Sequence, residues 1–200
     1  MSTLLLFPSV IHRVPPSFDF KDRKKEIVEY VYDKKRKDSV GVKKTNIGGW
    51  QSHSFYDGNV EDPIIPFVLR SITDYFIREE IHNKRVTVKV INAWININRK
   101  GDYNNPHNHP GSDLSGVFYI KLPSNSGNIE FYSPHHYTYH HELMTYNPAF
   151  LDHTKSPLSY FLFCKEGEII LFPSSLEHSV MPSKVREDRI SVAFNLEVRT

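Results

Sequence analysis

A single cysteine, Cys164, in 200 residues leaves no internal disulfide and no cysteine-rich zinc site. No apolar run reaches the roughly 18 residues that a membrane-spanning helix needs. The start, Met1-Ser-Thr-Leu-Leu-Leu-Phe-Pro8, lacks a charged n-region, and its apolar stretch is too short for a secretory signal. The expectation is a soluble, cytoplasmic protein. Charge of one sign is also scarce: the net charge is +2 and the pI about 8.5, which demands neither nucleic acid nor a membrane as partner and leaves only a local basic patch open. Neither repeats nor low-complexity segments occur.

What is present favours turns and strands. Thirteen prolines and 13% aromatic residues, with many Asn and Ser, argue against a helical bundle, and 39% hydrophobic content at this length fits one domain, 1–200, with a single sizeable core. Residues 4–10 read as an edge strand that ends before Pro15-Pro16. From 17 to 37, Phe20, Ile27, Val28 and Val31 recur at helical spacing among charges. This is a one-faced surface helix whose basic end, Lys34-Lys-Arg-Lys37, complements the helix dipole. Gly48-Gly49 signals a turn and Trp50 an anchor to the core. A second helix is predicted with Asp62 as cap, Pro63 at its first position, and Ile65, Val68, Leu69, Ile72 and Phe76 on one face, running to about residue 81.

From Arg85 the period changes to 2. Val86, Val88 and Val90 are followed in the same phase by Asn92, Trp94, Asn96 and Asn98, while the alternate positions become Ile91, Ala93, Ile95 and Ile97. The last strand, 189–198, sets Ile190, Val192, Phe194, Leu196 and Val198 against Arg189, Ser191, Ala193, Asn195 and Glu197. Short strands fall at 115–122, 128–132 and 168–172. The predicted fold is mainly β, a jelly-roll core of about eight strands over 85–200, with polar faces lining a cavity. Two N-terminal α-helices from 1–84 cover its apolar outer face. Residues 133–160, rich in His and aromatics, interrupt the pattern and read as a lid or substrate wall.

The chemistry concentrates in Asn104-Asn-Pro-His-Asn-His-Pro-Gly-Ser-Asp-Leu-Ser-Gly-Val-Phe-Tyr-Ile120. In an extended segment residues i and i+2 share a face, so His107 and His109 could reach one metal ion; alone, they read equally as a surface pair. Downstream, His178 follows a strand and a turn, and Arg189 and Ser191 open the last strand. That order sets a distal His, a cation and a hydroxyl where a dicarboxylate could be held.

His107-x-His109, the run Gly167-Glu-Ile-Ile-Leu-Phe-Pro173 with Leu176-Glu-His178-Ser-Val180, and Arg189-Ile-Ser-Val-Ala-Phe-Asn195 resemble the Fe(II)/2-oxoglutarate-dependent dioxygenase superfamily, most closely a bacterial and phage family with a His-x-His-Pro motif. The resemblance implies a double-stranded β-helix. It also implies His107 and His178 as iron ligands, with Arg189 on the distal carboxylate of 2-oxoglutarate, helped by Ser191. Prolyl hydroxylases face that carboxylate with a Thr and a Tyr four residues apart, an interval at which Ser115 and Tyr119 stand here. The implied reaction is hydroxylation of an unidentified substrate by molecular oxygen with decarboxylation of 2-oxoglutarate to succinate, in the host cytoplasm if the chain is viral. Where the superfamily carries a carboxylate, this chain has His109, so the third ligand is His109, Asp113 or water. Trp94, Asn96, Asn98 and Asn195 are candidates to surround the centre, with Asn98 also near the cosubstrate. The alternatives from other classes are a non-catalytic cupin-like protein binding a metal or small molecule, and a nucleic-acid-binding protein using Lys34 to Lys37.

Overall fold

The computed structural model describes residues 9–56, 62–81, 85–134 and 158–199, with the backbone alone at 79 and 80. In chain order the elements are β1 (His12–Val14), α1 (Phe20–Lys37), β2 (Asn46–Ile47), β3 (Trp50–Gln51), α2 (Ile65–Ser71, continuing as a π-helix over Ile72–Ile81), β4 (Thr87–Asn98), β5 (Tyr103–His107), β6 (Leu114–Lys121), β7 (Ile129–Tyr132), β8 (Ser159–Leu162), β9 (Ile169–Pro173), β10 (His178–Val180) and β11 (Arg189–Arg199). They form a six-stranded sheet in the order β1-β9-β6-β11-β4-β3 and a five-stranded sheet in the order β2-β5-β10-β7-β8. The eight strands β4 to β11 match the number expected over 85–200; β2 and β3, of two residues each, precede them and are too short for periodicity to register.

The alternation along β4 and β11 sorts two interiors. Ile95, Ile97, Ile190, Val192, Phe194 and Leu196 pack in one cluster with Phe20, Ile27 and Val31 of α1 and Ile65, Phe67 and Val68 of α2. Tyr119, Ile170 and Phe172 of the six-stranded sheet meet Ile129, Phe131 and Leu162 of the other sheet in a second cluster, so the two sheets face each other. The change of phase in β4 has a physical cause. Asn195 lies opposite Asn92 but Leu196 lies opposite Val90, leaving Ile91 as the extra, exposed residue of a β-bulge. Val90 and Ala93 therefore point into the same apolar cluster although their sequence phases differ.

Three local expectations change. Among the described residues the edge strand is His12–Val14, and Val10 is exposed outside its ladder; residues 4–8 of the expected strand lie outside the described residues. Arg13 fixes that position, donating from Nε and Nη2 to Glu168 at 2.6 and 3.0 Å. The second helix starts at Ile65, with Ile64 and not Asp62 at its N-cap and Pro66 and not Pro63 in its first turn; Asp62 Oδ1 accepts from the N–H of Ile64 and Ile65 at its entrance, and the helix widens after Ser71. The i→i+5 bonding keeps Ile72 and Ile77, five apart, on the buried side. The excursion over 133–160 is narrower, because Ser159 and Tyr160 belong to β8 and the Ser133 N–H donates to the Leu158 carbonyl at 2.8 Å. Residues 135–157, and with them the lid reading, lie outside the described residues.

Gly48 and Gly49, both at positive φ (66° and 63°), carry the chain from β2 in one sheet directly to β3 in the other. A Cβ on Gly48 would stand 2.1 Å from Asp102 Oδ1. Trp50 is buried just after the turn, its indole N–H donating to the Asp38 carbonyl at 2.8 Å. At the end of α1, Asp33 pairs with Lys37 at 2.7 Å and Arg36 at 3.3 Å, a solvated helix end. No helix among the described residues is long and apolar enough to cross a membrane.

Gly116 of β6 lies between Phe194 and Leu171, and a Cβ there would stand 2.3 Å from Phe194 Cζ. Gly116→Ala is expected to destabilise the fold by about 1–3 kcal/mol through overpacking, read by denaturant unfolding, with Phe194→Leu in the same chain recovering part of the loss.

Candidate functional site

The ladder between β10 and β5 sets His178 directly opposite His107, and His109 follows two residues beyond. The three imidazoles meet, with ring centroids 4.4 Å apart for His107 and His178 and 5.1 Å for each of the other two pairs. One ligand nitrogen from each lies within 4.8 Å of the others. The His107 Nδ1–H donates to the Asn105 carbonyl at 2.7 Å and the His178 Nδ1–H to the Leu176 carbonyl at 3.0 Å. A carbonyl only accepts, so each ring carries its proton on Nδ1 and leaves the Nε2 lone pair free.

His109 reaches the same state by side chains. Asn195 Nδ2 donates to Asn92 Oδ1 at 2.9 Å, which leaves Asn195 Oδ1 to accept from His109 Nδ1–H at 2.8 Å and from the Ser115 hydroxyl at 2.8 Å. Ser174 Oγ completes the group 2.8 Å from Ser115 Oγ, and the His109 backbone N–H donates to the Ser174 carbonyl at 2.8 Å. Burial pulls all three histidine pKa values down, that of His178 to about 3. Three neutral imidazoles with converging lone pairs are a donor set that fits a divalent transition metal. Asp113 is not part of it, because its Oδ2 accepts from the Val198 N–H at 2.8 Å.

The other end of β11 carries the cation. Arg189 is 2% exposed, and neither its Nε nor its Nη1 has a hydrogen-bond partner among the described residues. Burial lowers its pKa and raises that of Tyr119, whose hydroxyl is also buried and unpartnered and whose ring centroid lies 5.7 Å from the guanidinium carbon. Asn98, directly opposite Arg189, adds a third orphan in its Oδ1. Ser191 is paired with Tyr119 on one side and Asn96 on the other. Ser115 does not join this group. It sits opposite Asn195, its hydroxyl engaged with Asn195 and Ser174 near His109, whereas Tyr119 lies beside Arg189. Trp94 faces the histidine end, its ring 5.4 Å from that of His109.

Three contributors escaped the sequence reading. Asn92 was visible only as one more polar residue in the alternation, and Ser174 carried no signal. The third is a clamp beside Arg189: Asp188 accepts from Arg99 Nε at 2.5 Å and from the Tyr32 hydroxyl at 2.6 Å. Burial works against ionisation of Asp188, yet Arg99 and Tyr32 hold its carboxyl below the usual range.

Residues 92–195, just over half of the chain, match the family described as "Putative 2OG-Fe(II) oxygenase", and the chain belongs to that family. It is a 2-oxoglutarate-dependent oxygenase that uses Fe(II), and the histidine triad fits the metal. Solved structures share the fold. HygX from Streptomyces hygroscopicus, with nickel and 2-oxoglutarate bound, matches at TM-score 0.60 and 10% identity over 94% of this chain and 82% of that one. A Pseudomonas putida prolyl-4-hydroxylase matches at TM-score 0.56 and 11% identity over 94% and 91%. An oxidoreductase of the 2OG-Fe(II) oxygenase family from Burkholderia pseudomallei aligns over 64% of this chain and only 50% of its own, at 13% identity and TM-score 0.45. HygX and the prolyl-4-hydroxylase identify the fold as a double-stranded β-helix. No curated protein matches the sequence.

The buried histidines give the metal-free protein an acid limb. His178 takes up a proton near 6.5 when unfolded but only near pH 3 when folded, so between those values the unfolded chain binds more protons. Stability is expected to be full above about pH 6.5 and to fall progressively as pH drops toward 3. Thermal melts across that range should show a shallower limb for His178→Gln than for the parent.

Proposed function

We propose that this chain is a hydroxylase in which His107, His109 and His178 hold Fe(II) through Nε2 and Arg189 takes the distal carboxylate of 2-oxoglutarate. Ser191 and Tyr119 add hydroxyl donors to that carboxylate, and Asn98 lies alongside. The observation that carries the reading is the buried guanidinium with unpartnered Nε and Nη1. An unpaired charge in the interior is costly, and a carboxylate held through two parallel hydrogen bonds removes that cost. Two other arginines are already matched, Arg13 with Glu168 and Arg99 with Asp188.

When bound, the metal and 2-oxoglutarate supply the oxidising chemistry: molecular oxygen and 2-oxoglutarate are consumed, succinate and carbon dioxide leave, and one oxygen atom enters a substrate C–H bond. The chain supplies position. The Nδ1–H bonds to Asn105, Leu176 and Asn195 hold the three rings in one orientation. Phe172, its centroid 4.7 Å from the His178 ring, and Phe131 at 6.0 Å exclude water from that side. Arg189, buried at the far end of the same strand face as Asn195, sets the direction in which the cosubstrate lies. Residues 1–200 are read as one oxygenase domain acting in the cytoplasm, with 2-oxoglutarate and oxygen as its small-molecule partners.

His178→Ala is expected to lose stoichiometric binding of Fe(II) or Co(II), measured by anaerobic titration; retention of parental affinity would refute the ligand assignment. For the cosubstrate, stranding one partner of a buried charge pair costs about 3–5 kcal/mol, so Arg189→Ala should weaken 2-oxoglutarate binding roughly a hundredfold or more. Arg189→Lys should recover only part, since an ammonium lacks the planar fork. The charge-transfer band of the Fe(II) protein under nitrogen reports both, and metal affinity should stay near parental in each.

A further inference from the structure

We propose that the histidine end of the site is an anion position: once loaded with its divalent cation it takes a monoanionic group from outside the chain, and the substrate presents such a group there. The inference rests on the metal and cosubstrate reading above and names the chemical class of ligand at that same site.

The charges at this site do not balance once it is loaded. From the pair Asn98 and Arg189 to the pair Asn92 and Asn195, every residue on the inner face of β4 and β11 is neutral except Arg189, and so are Ser115, Val117 and Tyr119 opposite them on β6. The acids that the fold brings near do not neutralise the centre: Asp113 is exposed, so solvent screens its charge, while Glu168 is paired with Arg13 and Asp188 with Arg99. At the rim, exposed Glu177 acts on His107 and exposed Lys44 acts on His109, and their opposite signs cancel. Even the acceptor for the His109 Nδ1–H is an amide, Asn195, where a carboxylate would have added a negative charge.

Among the described residues the interior therefore offers three neutral imidazoles and one guanidinium. A divalent cation and Arg189 bring three positive charges, and 2-oxoglutarate neutralises two. In a site of two histidines and one carboxylate the protein would cancel the third; here His109 occupies that position and one positive charge is left. In surroundings of low dielectric such a charge attracts a counter-ion strongly. The half-buried Trp94, 5.4 Å from His109, supplies an apolar wall against which the organic part of an acidic substrate can rest.

The test uses the full chain loaded with one equivalent of Co(II), azide as the monoanion, and the visible cobalt spectrum as readout. The parent should bind azide. His109→Asp and His109→Glu, which restore a negative charge at the metal, should bind it at least about tenfold more weakly, the effect of one unit charge a few ångströms away. The neutral His109→Asn should bind azide no more weakly than the parent, which separates charge from geometry. Undiminished azide affinity in the carboxylate variants, with Co(II) taken up by all, overturns this inference and leaves the metal reading standing. Failure of the parent to take up Co(II) overturns the metal reading and this inference with it.

Discussion

A buried guanidinium, that of Arg189, whose Nε and Nη1 find no hydrogen-bond partner among the described residues, is the constraint around which this molecule is built. Moving a cation out of water costs several kcal/mol even after relaxation, so Arg189 stays inside only because the surrounding structure over-determines its position. It begins a strand laddered on both sides, by β4 along its whole length and by β6 along most of it. Its neighbour Asp188 is tied to Arg99 and to Tyr32 of the covering helix. The stabilisation that Phe194 and Leu196 contribute on one face of β11 offsets what Arg189 costs on the other. Any anion that satisfies Arg189 therefore adds to the stability of the fold as well as to its own affinity.

The same strand joins both halves of the chemistry. Asn195 fixes the tautomer of His109 and Arg189 provides the cationic end, with Ser191 and Ala193 on the face between them. Misplacing the ladder by one residue would turn both groups into the apolar cluster beneath the helices. Register is thus the variable on which site geometry depends. The crowding of Gly116 against Phe194 and Leu171 and the bulge at Ile91 are the places where that register is held.

Much of this was legible in the residues. Alternation along β4 and β11 separates the inner from the outer face, and the fold brings His-x-His and the downstream His178 together. What escaped was set by contacts that leave no period. Ser115 stands at the interval expected of a cosubstrate ligand, yet the pairing of β6 with β11 carries it to Asn195 and the metal end. That His109 meets His107 and His178 while Asp113 accepts from the Val198 N–H is set by strand pairing that no motif encodes. Strands of two residues and the widening of a helix at Ile72 are likewise decided by tertiary packing and not by local preference.

The passage through Gly48 and Gly49 has a mechanical consequence. It fastens the edge of one sheet to the edge of the other within two residues, and Asp102 pressed against Gly48 leaves that joint little freedom to turn. The opposite margin is joined as well, because residues 163–168 run from β8 of one sheet to β9 of the other and Arg13 of β1 donates to the Phe163 carbonyl at 3.0 Å and to Glu168. With the two sheets stitched at both margins, the clearance between them is set by the side chains that line it and not by a hinge.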